Sequence, residues 1–144
     1  MIPPPDQTPI PLSPQETQLL ARFALDHADD AALWADSDGH LLYANDAACR
    51  ALAYTSSELP GMTFSDVTPE LTPELWSQLL KETKTRHGFA LELSLRAKDH
   101  RVFPVDMTVH AMPLGQREIL CAFFRDVNER KRLQQLKTEF VKLF

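Results

Sequence analysis

The sequence predicts an α+β fold: a five-stranded, mostly antiparallel sheet with helices on one face, an N-terminal amphipathic helix and a C-terminal coiled-coil-like helix. Three observations support this class. Two short apolar segments around Gly39 form a hairpin, three longer apolar segments follow Gly88, and helical patterns separate the two sets. Strands joined by tight turns pair antiparallel, so this order leaves the helices to cover one face of the sheet.

Size and composition limit the possible functions. The 144 residues suit one domain with tails, and 44% hydrophobic residues are enough for a core. A net charge of −5 without a basic stripe excludes nucleic acid as a partner. No apolar run approaches the ~18 residues of a membrane span, and the N-terminus lacks secretory-signal features, so any membrane anchor lies outside this chain. The two cysteines, Cys49 and Cys121, fit a reduced, cytoplasmic protein.

Two segments precede the predicted domain. Residues 1–16 contain six prolines, which predict an extended tail, with docking to a polyproline reader as the alternative. Residues 17–27 form an amphipathic helix, because Leu19, Leu20 and Phe23 recur at helical spacing. That helix needs a surface to cover.

The predicted domain spans residues 28–126. Its expected elements are strands at 31–36 and 41–44, helices at 46–53, 64–67 and 72–86, a helical turn at 56–58, and strands at 89–95, 103–111 and 119–124. The first two strands flank a glycine turn, and Asn45 is a typical N-cap for the helix that follows. Gly88 ends the longer helix.

The last strand differs from its neighbours. The two strands before it alternate apolar and polar residues, as half-buried strands do. Residues 119–124, by contrast, are apolar throughout, which predicts burial on both faces. One face meets the core, and the other needs a cover, either the N-terminal amphipathic helix or a second subunit.

Residues 127–144 predict an output helix. Its apolar positions, spaced 3, 4 and 3, are Leu133, Leu136, Phe140 and Leu143. This a/d pattern favours a parallel dimer, and the alternative is a helix that folds back on its own domain. The segment from Leu136 onward also resembles the approach to the phospho-accepting helix of sensor kinases.

Five stretches, in this order and spacing, resemble a PAS domain. They are 34–39 (WADSDG), 43–50 (YANDAACR), 59–62 (LPGM), 101–105 (RVFPV) and 124–131 (FRDVNERK). The resemblance covers about residues 28–131. It implies a five-stranded antiparallel sheet with helices enclosing a small cavity, and a sensing role in cytosolic signalling proteins, frequently as dimers. His100 stands where relatives usually carry glycine, which predicts another turn type.

The resemblance also implies two groups of site residues. At the strand-to-helix exit, Arg125, Asp126 and Asn128 would couple the last strand to the output helix, with Asn128 as the cap; an ordinary cap and a surface ion pair are the alternative. Residues expected to line a cavity are Trp34, Phe64, Leu91, Leu93, Leu120, Ala122 and Phe124. Alternatively, these side chains simply fill the core.

Cofactor chemistry finds little support. Cys49 lacks the asparagine–cysteine–arginine context of flavin-binding light sensors, since alanine precedes it. We therefore interpret Cys49 as a packing residue, and Cys121 in the same way. Haem is disfavoured because His87 lies at a helix end, where solvation is common, and no cluster has metal-site spacing. Phe124 is bulky where flavin-binding relatives often have a polar residue, which favours a filled core or a small apolar ligand.

The sequence thus predicts a non-catalytic PAS sensory and dimerisation module of a cytosolic signalling protein. It would relay a signal through its C-terminal helix to a downstream output domain, a bacterial histidine kinase in the main reading. The alternatives are a ligand-free interaction module and the input domain of a cyclic-dinucleotide synthase.

Overall fold

The computed structural model describes residues 10–86 and 88–142, which form five helices and five strands. The helices are α1 (Pro14–Asp26), α2 (Asp46–Leu52), α3 (Phe64–Val67), α4 (Pro73–Arg86) and α5 (Val127–Lys142). The strands are β1 (Ala31–Asp36), β2 (Leu41–Ala44), β3 (Phe89–Arg96), β4 (Val102–Leu114) and β5 (Arg117–Asp126). The predicted fold class, with its N-terminal and C-terminal helices, is confirmed.

All strand pairs are antiparallel, in the order β2-β1-β5-β4-β3. The last strand therefore lies in the middle of the sheet, between β1 and β4. Its core-facing residues Leu120, Ala122 and Phe124 are buried, whereas Phe123 on the opposite face is 37% exposed, so the predicted burial on both faces is only partly met within one chain. The pairing also sets the start of β1 beside the end of β5, because Ala31 lies opposite Phe124.

The hydrophobic core lies on one face of the sheet, here called the inner face. Leu33, Met107 and Leu120 face inward from three different strands, and each is at most 3% exposed. Leu52 of α2 and Val67 of α3, both fully buried, cover them. Alternation along the strands sends every second side chain to the opposite, outer face.

One loop agrees with its prediction and another differs. Residues 56–58 form the predicted helical turn, in which the Leu59 N–H donates to the Thr55 carbonyl at 3.3 Å. In the β3–β4 hairpin, His100 has a φ of 69°, the left-handed region that glycine adopts without strain. The histidine thus takes up a glycine-like conformation, where the sequence favoured a different turn.

Helix α1 is attached to the domain only near its C-terminal end. It starts with a capping box between Ser13 and Glu16, as its sequence suggests, but buries none of its side chains. Leu19, Leu20 and Phe23 are 71%, 53% and 63% exposed. Within one chain, α1 therefore leaves its apolar stripe in solvent and does not provide the expected cover for the sheet.

Helix α5 also exposes apolar side chains. Leu133 and Leu136 are 53% and 56% exposed. The other two residues of the predicted stripe, Phe140 and Leu143, lie outside the described side chains, as do most of the proline-rich tail and His87. None of the described helices is long and apolar enough to cross a membrane.

Candidate functional site

The inner face encloses a cavity of only about 10 Å³, room for about one water molecule. Phe64 of α3 and Leu120 and Ala122 of β5 line it, as the sequence led us to expect. Phe124 is 3% exposed and belongs to the surrounding core without lining the cavity. The interior as it stands is filled by side chains.

Trp34 is a correction to the expected cavity lining. Its neighbours Leu33 and Ala35 face the inner cavity, so alternation along β1 places Trp34 on the outer face. There its ring packs on Tyr43 of β2, with centroids 4.9 Å apart. The indole nitrogen is buried and has no hydrogen-bond partner among the described residues. Counting the period-two alternation from Leu33 would have assigned this face.

Leu91 and Leu93 line a different space from the inner cavity. They lie half-buried beside a groove of about 510 Å³ that opens to the surface between α4 and β3. We call this space the α4–β3 groove. Leu79 of α4 borders both the groove and the inner cavity, so the two expected lining groups belong to adjacent but distinct spaces.

The exit from β5 into α5 is held by two charged residues. The Asp126 carboxylate accepts a hydrogen bond from the Asn128 backbone N–H at 2.8 Å, so Asp126 caps α5. The sequence predicted Asn128 as this cap, but the helix begins at Val127, which leaves Asn128 inside its first turn. The guanidinium of the neighbouring Arg125 donates to Asp30 at 2.7 Å. Because Asp30 directly precedes β1, this ion pair bridges the entry and the exit of the sheet.

Asn45 contacts the same region from inside the domain, although the sequence predicted only its role as an N-cap. Its side-chain oxygen accepts from the backbone N–H groups of Ala32 and Ala48, at 2.9 and 3.0 Å. Its amide donates to the backbone carbonyls of Leu25 and Asp30, both at 2.9 Å. Asn45 is fully buried, so its amide satisfies four groups from α1, the α1–β1 linker, β1 and α2.

A second contact holds the end of α1. The Tyr43 hydroxyl donates a hydrogen bond to the Asp26 carboxylate, which also pairs with Arg22 at 3.3 Å. The hydrogen bond from Tyr43 lowers the pKa of Asp26 below its usual value. Burial, together with the adjacent carboxylate, raises the pKa of Tyr43. The carboxylate form of Asp26 therefore favours the docked helix.

Among the described residues, the side chains relevant to redox or metal chemistry are two cysteines and one group of acidic and histidine residues, although the sequence led us to expect no such group. Burial raises the pKa of both cysteine thiols, which disfavours the reactive thiolate. Within the described ranges, one group of potential ligands converges: Asp36, Asp38 and His40, with their ligand atoms within 4.8 Å of one another. Asp36 already accepts from the backbone N–H groups of Asp38 and His40, at 3.0 and 2.9 Å. These bonds stabilise the turn between β1 and β2.

Comparison with known proteins agrees with this architecture. A family model described as the PAS fold matches residues 20–127, three quarters of the chain. The chain belongs to the PAS family. No curated protein sequence matches it.

Solved structures show the same fold at low sequence identity. A PAS domain from a two-component sensor histidine kinase is 22% identical, with a TM-score of 0.69 over 79% of this chain and 99% of that one. A domain of a sensory box sensor histidine kinase/response regulator from Geobacter sulfurreducens is 20% identical, with a TM-score of 0.67 over 78% and 96%. The PAS domain of a LuxR-family transcriptional regulator from Burkholderia thailandensis, solved in complex with ethanol, is 12% identical, with a TM-score of 0.60 over 74% and 96%.

Proposed function

We propose that this chain is a sensory and dimerisation module that relays a signal from its sheet to an output domain through α5. The observation that carries the proposal is the common attachment of its two exposed helices. Helix α1 ends where β1 begins, α5 begins where β5 ends, and these strand ends are paired with each other. A small shift of β5 against β1 would therefore change how the two helices lie relative to each other.

The relay uses the exit residues named from the sequence. Asp126 joins the end of β5 to the first turn of α5, while Arg125 joins the same strand end to Asp30 beside α1. Both contacts are at the surface, where an ion pair such as Arg125–Asp30 contributes at most about 1 kcal/mol and a helix cap such as Asp126 about 0.5–2 kcal/mol. Weak contacts suit a switch, because a modest input is enough to change the balance between two arrangements.

A second copy of the chain is the proposed cover for the exposed apolar surfaces. These surfaces are the stripe of α1, the described leucines of α5 and the outer face near Phe123, which is 37% exposed. Exposed apolar stripes on two helices that leave the same end of a sheet would be buried together in a symmetric dimer. The dimer would place two α5 helices side by side, as the a/d spacing favours.

Solution mass tests the dimer directly. Wild-type chain should be a dimer at micromolar concentration, and Phe23→Glu should shift it to monomer. Leu75→Glu is the matched control, because Leu75 is 48% exposed on α4, away from the proposed interface. A monomeric wild type, or equal effects of both variants, would contradict the proposed interface.

The output domain is proposed as a histidine kinase acting in the cytoplasm. Support comes from the kinase-derived neighbours and from the resemblance of the α5 sequence to the helix that precedes a phospho-accepting histidine. A cyclic-dinucleotide synthase is the alternative receiver. The coding sequence that follows Phe144 identifies the receiver, and a catalytic domain of any third class would overturn both readings.

A ligand-free interaction module is the competing function. The filled interior, with a cavity of about 10 Å³, is the observation that favours it. Native mass spectrometry and an absorbance spectrum of the purified chain separate the two. A co-purifying small molecule supports sensing, and a dimer that remains empty across a metabolite screen supports pairing alone.

A further inference from the structure

Helix α4 covers one side of the inner cavity but is attached by few contacts. Leu79 and Thr83 are the only buried residues among its 14, and the Thr83 hydroxyl bonds to the Leu79 carbonyl within the same helix, at 2.7 Å. An ion pair of 3.0 Å joins Lys84 to Glu118 of β5, but both side chains are partly exposed, so the pair contributes little. Because helices in proteins are stabilised mainly by the packing of an apolar face, the position of α4 depends on a small number of side chains.

The wall between the cavity and the protein surface is one side chain thick. Leu79 borders the cavity on one side and the α4–β3 groove on the other. Phe64 and Trp76 lie between the same cavity and a second surface pocket, of about 280 Å³, beside the β1–β2 turn. Leu79 and Trp76 both belong to α4. An outward movement of this one helix would therefore connect the interior with solvent.

Trp76 joins α4 to the β1–β2 turn. Its indole N–H donates to the Ser37 carbonyl at 3.0 Å, and its ring packs on Phe64, with centroids 5.8 Å apart. The ring also covers Gly39, where a Cβ would lie 3.6 Å from it. Trp76 is half-buried and Ser37 is exposed, so water can take the place of the partner in this hydrogen bond when the helix moves. The contact is thus specific in its geometry and easily exchanged.

We propose that α4 is a lid over the inner cavity and that the hydrogen bond from Trp76 to the Ser37 carbonyl is the latch that holds it closed. In the closed state the cavity of about 10 Å³ has room for about one water molecule. Release of the latch lets α4 move away from the sheet and admits a small apolar molecule, the class that the apolar lining accepts. This proposal rests on the sensory role and states how the interior is reached.

The two tryptophans of the chain provide a matched pair of variants for the latch. Trp76→Phe removes its donor, whereas Trp34→Phe removes an indole N–H that has no hydrogen-bond partner among the described residues. In Trp76→Phe, amide hydrogen exchange in α4 should become about threefold to tenfold faster, as the loss of one hydrogen bond allows, while β5 exchanges at the wild-type rate. Trp34→Phe should leave exchange in α4 unchanged. Equal effects of the two variants would overturn the latch.

An isosteric residue separates the hydrogen bond from the packing of the ring. Benzothienylalanine in place of Trp76 keeps the size of the indole but carries sulfur instead of the N–H. It should accelerate exchange in α4 as Trp76→Phe does, because both lack the donor. Exchange at the wild-type rate would show that ring packing holds α4, and would overturn the role of the hydrogen bond.

A thiol in the cavity tests whether α4 controls access to it. In a full-length chain with Cys49 and Cys121 replaced by alanine, Ala122→Cys adds a thiol to the cavity lining, and methyl methanethiosulfonate can label it only when the cavity opens. Adding Trp76→Phe should accelerate labelling by the same factor as exchange in α4. Low urea concentrations should not change the rate, because lid opening exposes little surface. Labelling that is unaffected by Trp76→Phe, or that rises steeply with urea as global unfolding does, would overturn the lid.

The outcomes for the lid and for the sensory role are separable. If the cavity thiol reacts as expected but the purified chain binds nothing in a metabolite screen, the lid stands and the sensory role is contradicted. If the chain binds a small molecule while Trp76→Phe changes neither exchange nor labelling, the sensory role stands and the lid is contradicted.

Discussion

Asn45 shows how much one side chain contributes to this fold. An asparagine amide offers both acceptor and donors, and here it serves four backbone groups from four neighbouring segments. The residue is fully buried, so removal of its amide would leave each of these backbone groups without a hydrogen-bond partner and out of reach of solvent. Asn45 is therefore a structural link between the end of α1 and the first turn of α2, beyond its local role as a cap.

Replacement of Asn45 by aspartate tests the donor half of that link. The carboxylate keeps the two accepted bonds but faces the carbonyl oxygens of Leu25 and Asp30, so we expect a loss of about 3 kcal/mol or more at pH 7 in urea unfolding. Burial raises the pKa of such a carboxyl, and its protonated form is favoured in the folded state. The penalty should therefore shrink as the pH falls toward about 4.

Asn128 provides the matched control for this substitution. It is exposed in the first turn of α5, where a carboxylate is favourable to the helix dipole. Asn128→Asp should leave the free energy of unfolding within about 0.5 kcal/mol of wild type. If Asn45→Asp and Asn128→Asp lowered the free energy of unfolding by similar amounts, the two hydrogen bonds donated by the buried Asn45 amide would not explain its contribution to stability.

At the scale of elements, the attachment of α1 to the domain depends on the ionisation of Asp26. The pKa of Asp26 is lowered by the hydrogen bond from Tyr43, so the docked state binds fewer protons than the free helix. A depressed carboxyl pKa contributes stability above the unfolded value, near 3.9, which is lost as the pH falls through the folded value. We expect α1 to remain docked at neutral pH and to loosen below about pH 4.

Tyr43→Phe removes the hydroxyl and should reproduce that loosening at pH 7. Amide hydrogen exchange in the last turn of α1 should then become faster, while exchange in the central strand β5 stays at the wild-type rate. Because Trp34 packs on the Tyr43 ring, which the variant keeps, the outer face should be unchanged. Unaltered exchange in α1 would show that Asn45 alone holds the helix.

The start of α5 offers a second test at this scale. Asp126→Ala removes the side-chain cap, which costs about 0.5–2 kcal/mol of helix stability. We expect the domain to remain folded, the first turn of α5 to exchange faster, and the activity of an attached output domain to change. Asn128→Ala is the control, since its backbone N–H still finds the Asp126 carboxylate. Unchanged output with a frayed helix would contradict coupling through this junction.

The sequence predicted elements better than it predicted their faces and partners. Alternation and turn residues located all five strands, because these signals are local. The same alternation does not determine which of the two faces packs against the core. Trp34 was therefore expected in the cavity, although it lies on the outer face. The cap of α5 was placed on Asn128, because a helix boundary that shifts by two residues changes which side chain can reach the free N–H groups. The long-range bonds of Asn45 have no sequence signature.

For the whole molecule, the main consequence of the topology is that entry and exit share one end of the sheet. The chain enters β1 and leaves β5 at paired residues, and the Asp30–Arg125 ion pair joins the two points across 95 positions of sequence. Both side chains are about half exposed, so the pair should contribute little to overall stability. Its effect should appear in the relative orientation of α1 and α5.

A charge exchange at this pair tests the whole arrangement. Asp30→Arg and Arg125→Asp each juxtapose like charges, so each should broaden the distribution of distances between spin labels on α1 and α5, measured by pulsed electron paramagnetic resonance. The double variant restores opposite charges and should narrow the distribution again, with melting temperatures close to wild type throughout. Recovery in the double variant would distinguish a coupling contact from the separate local effects of two substitutions. If the double variant stays as broad as the single ones, the two helices are oriented by other contacts, and the relay does not pass through this pair.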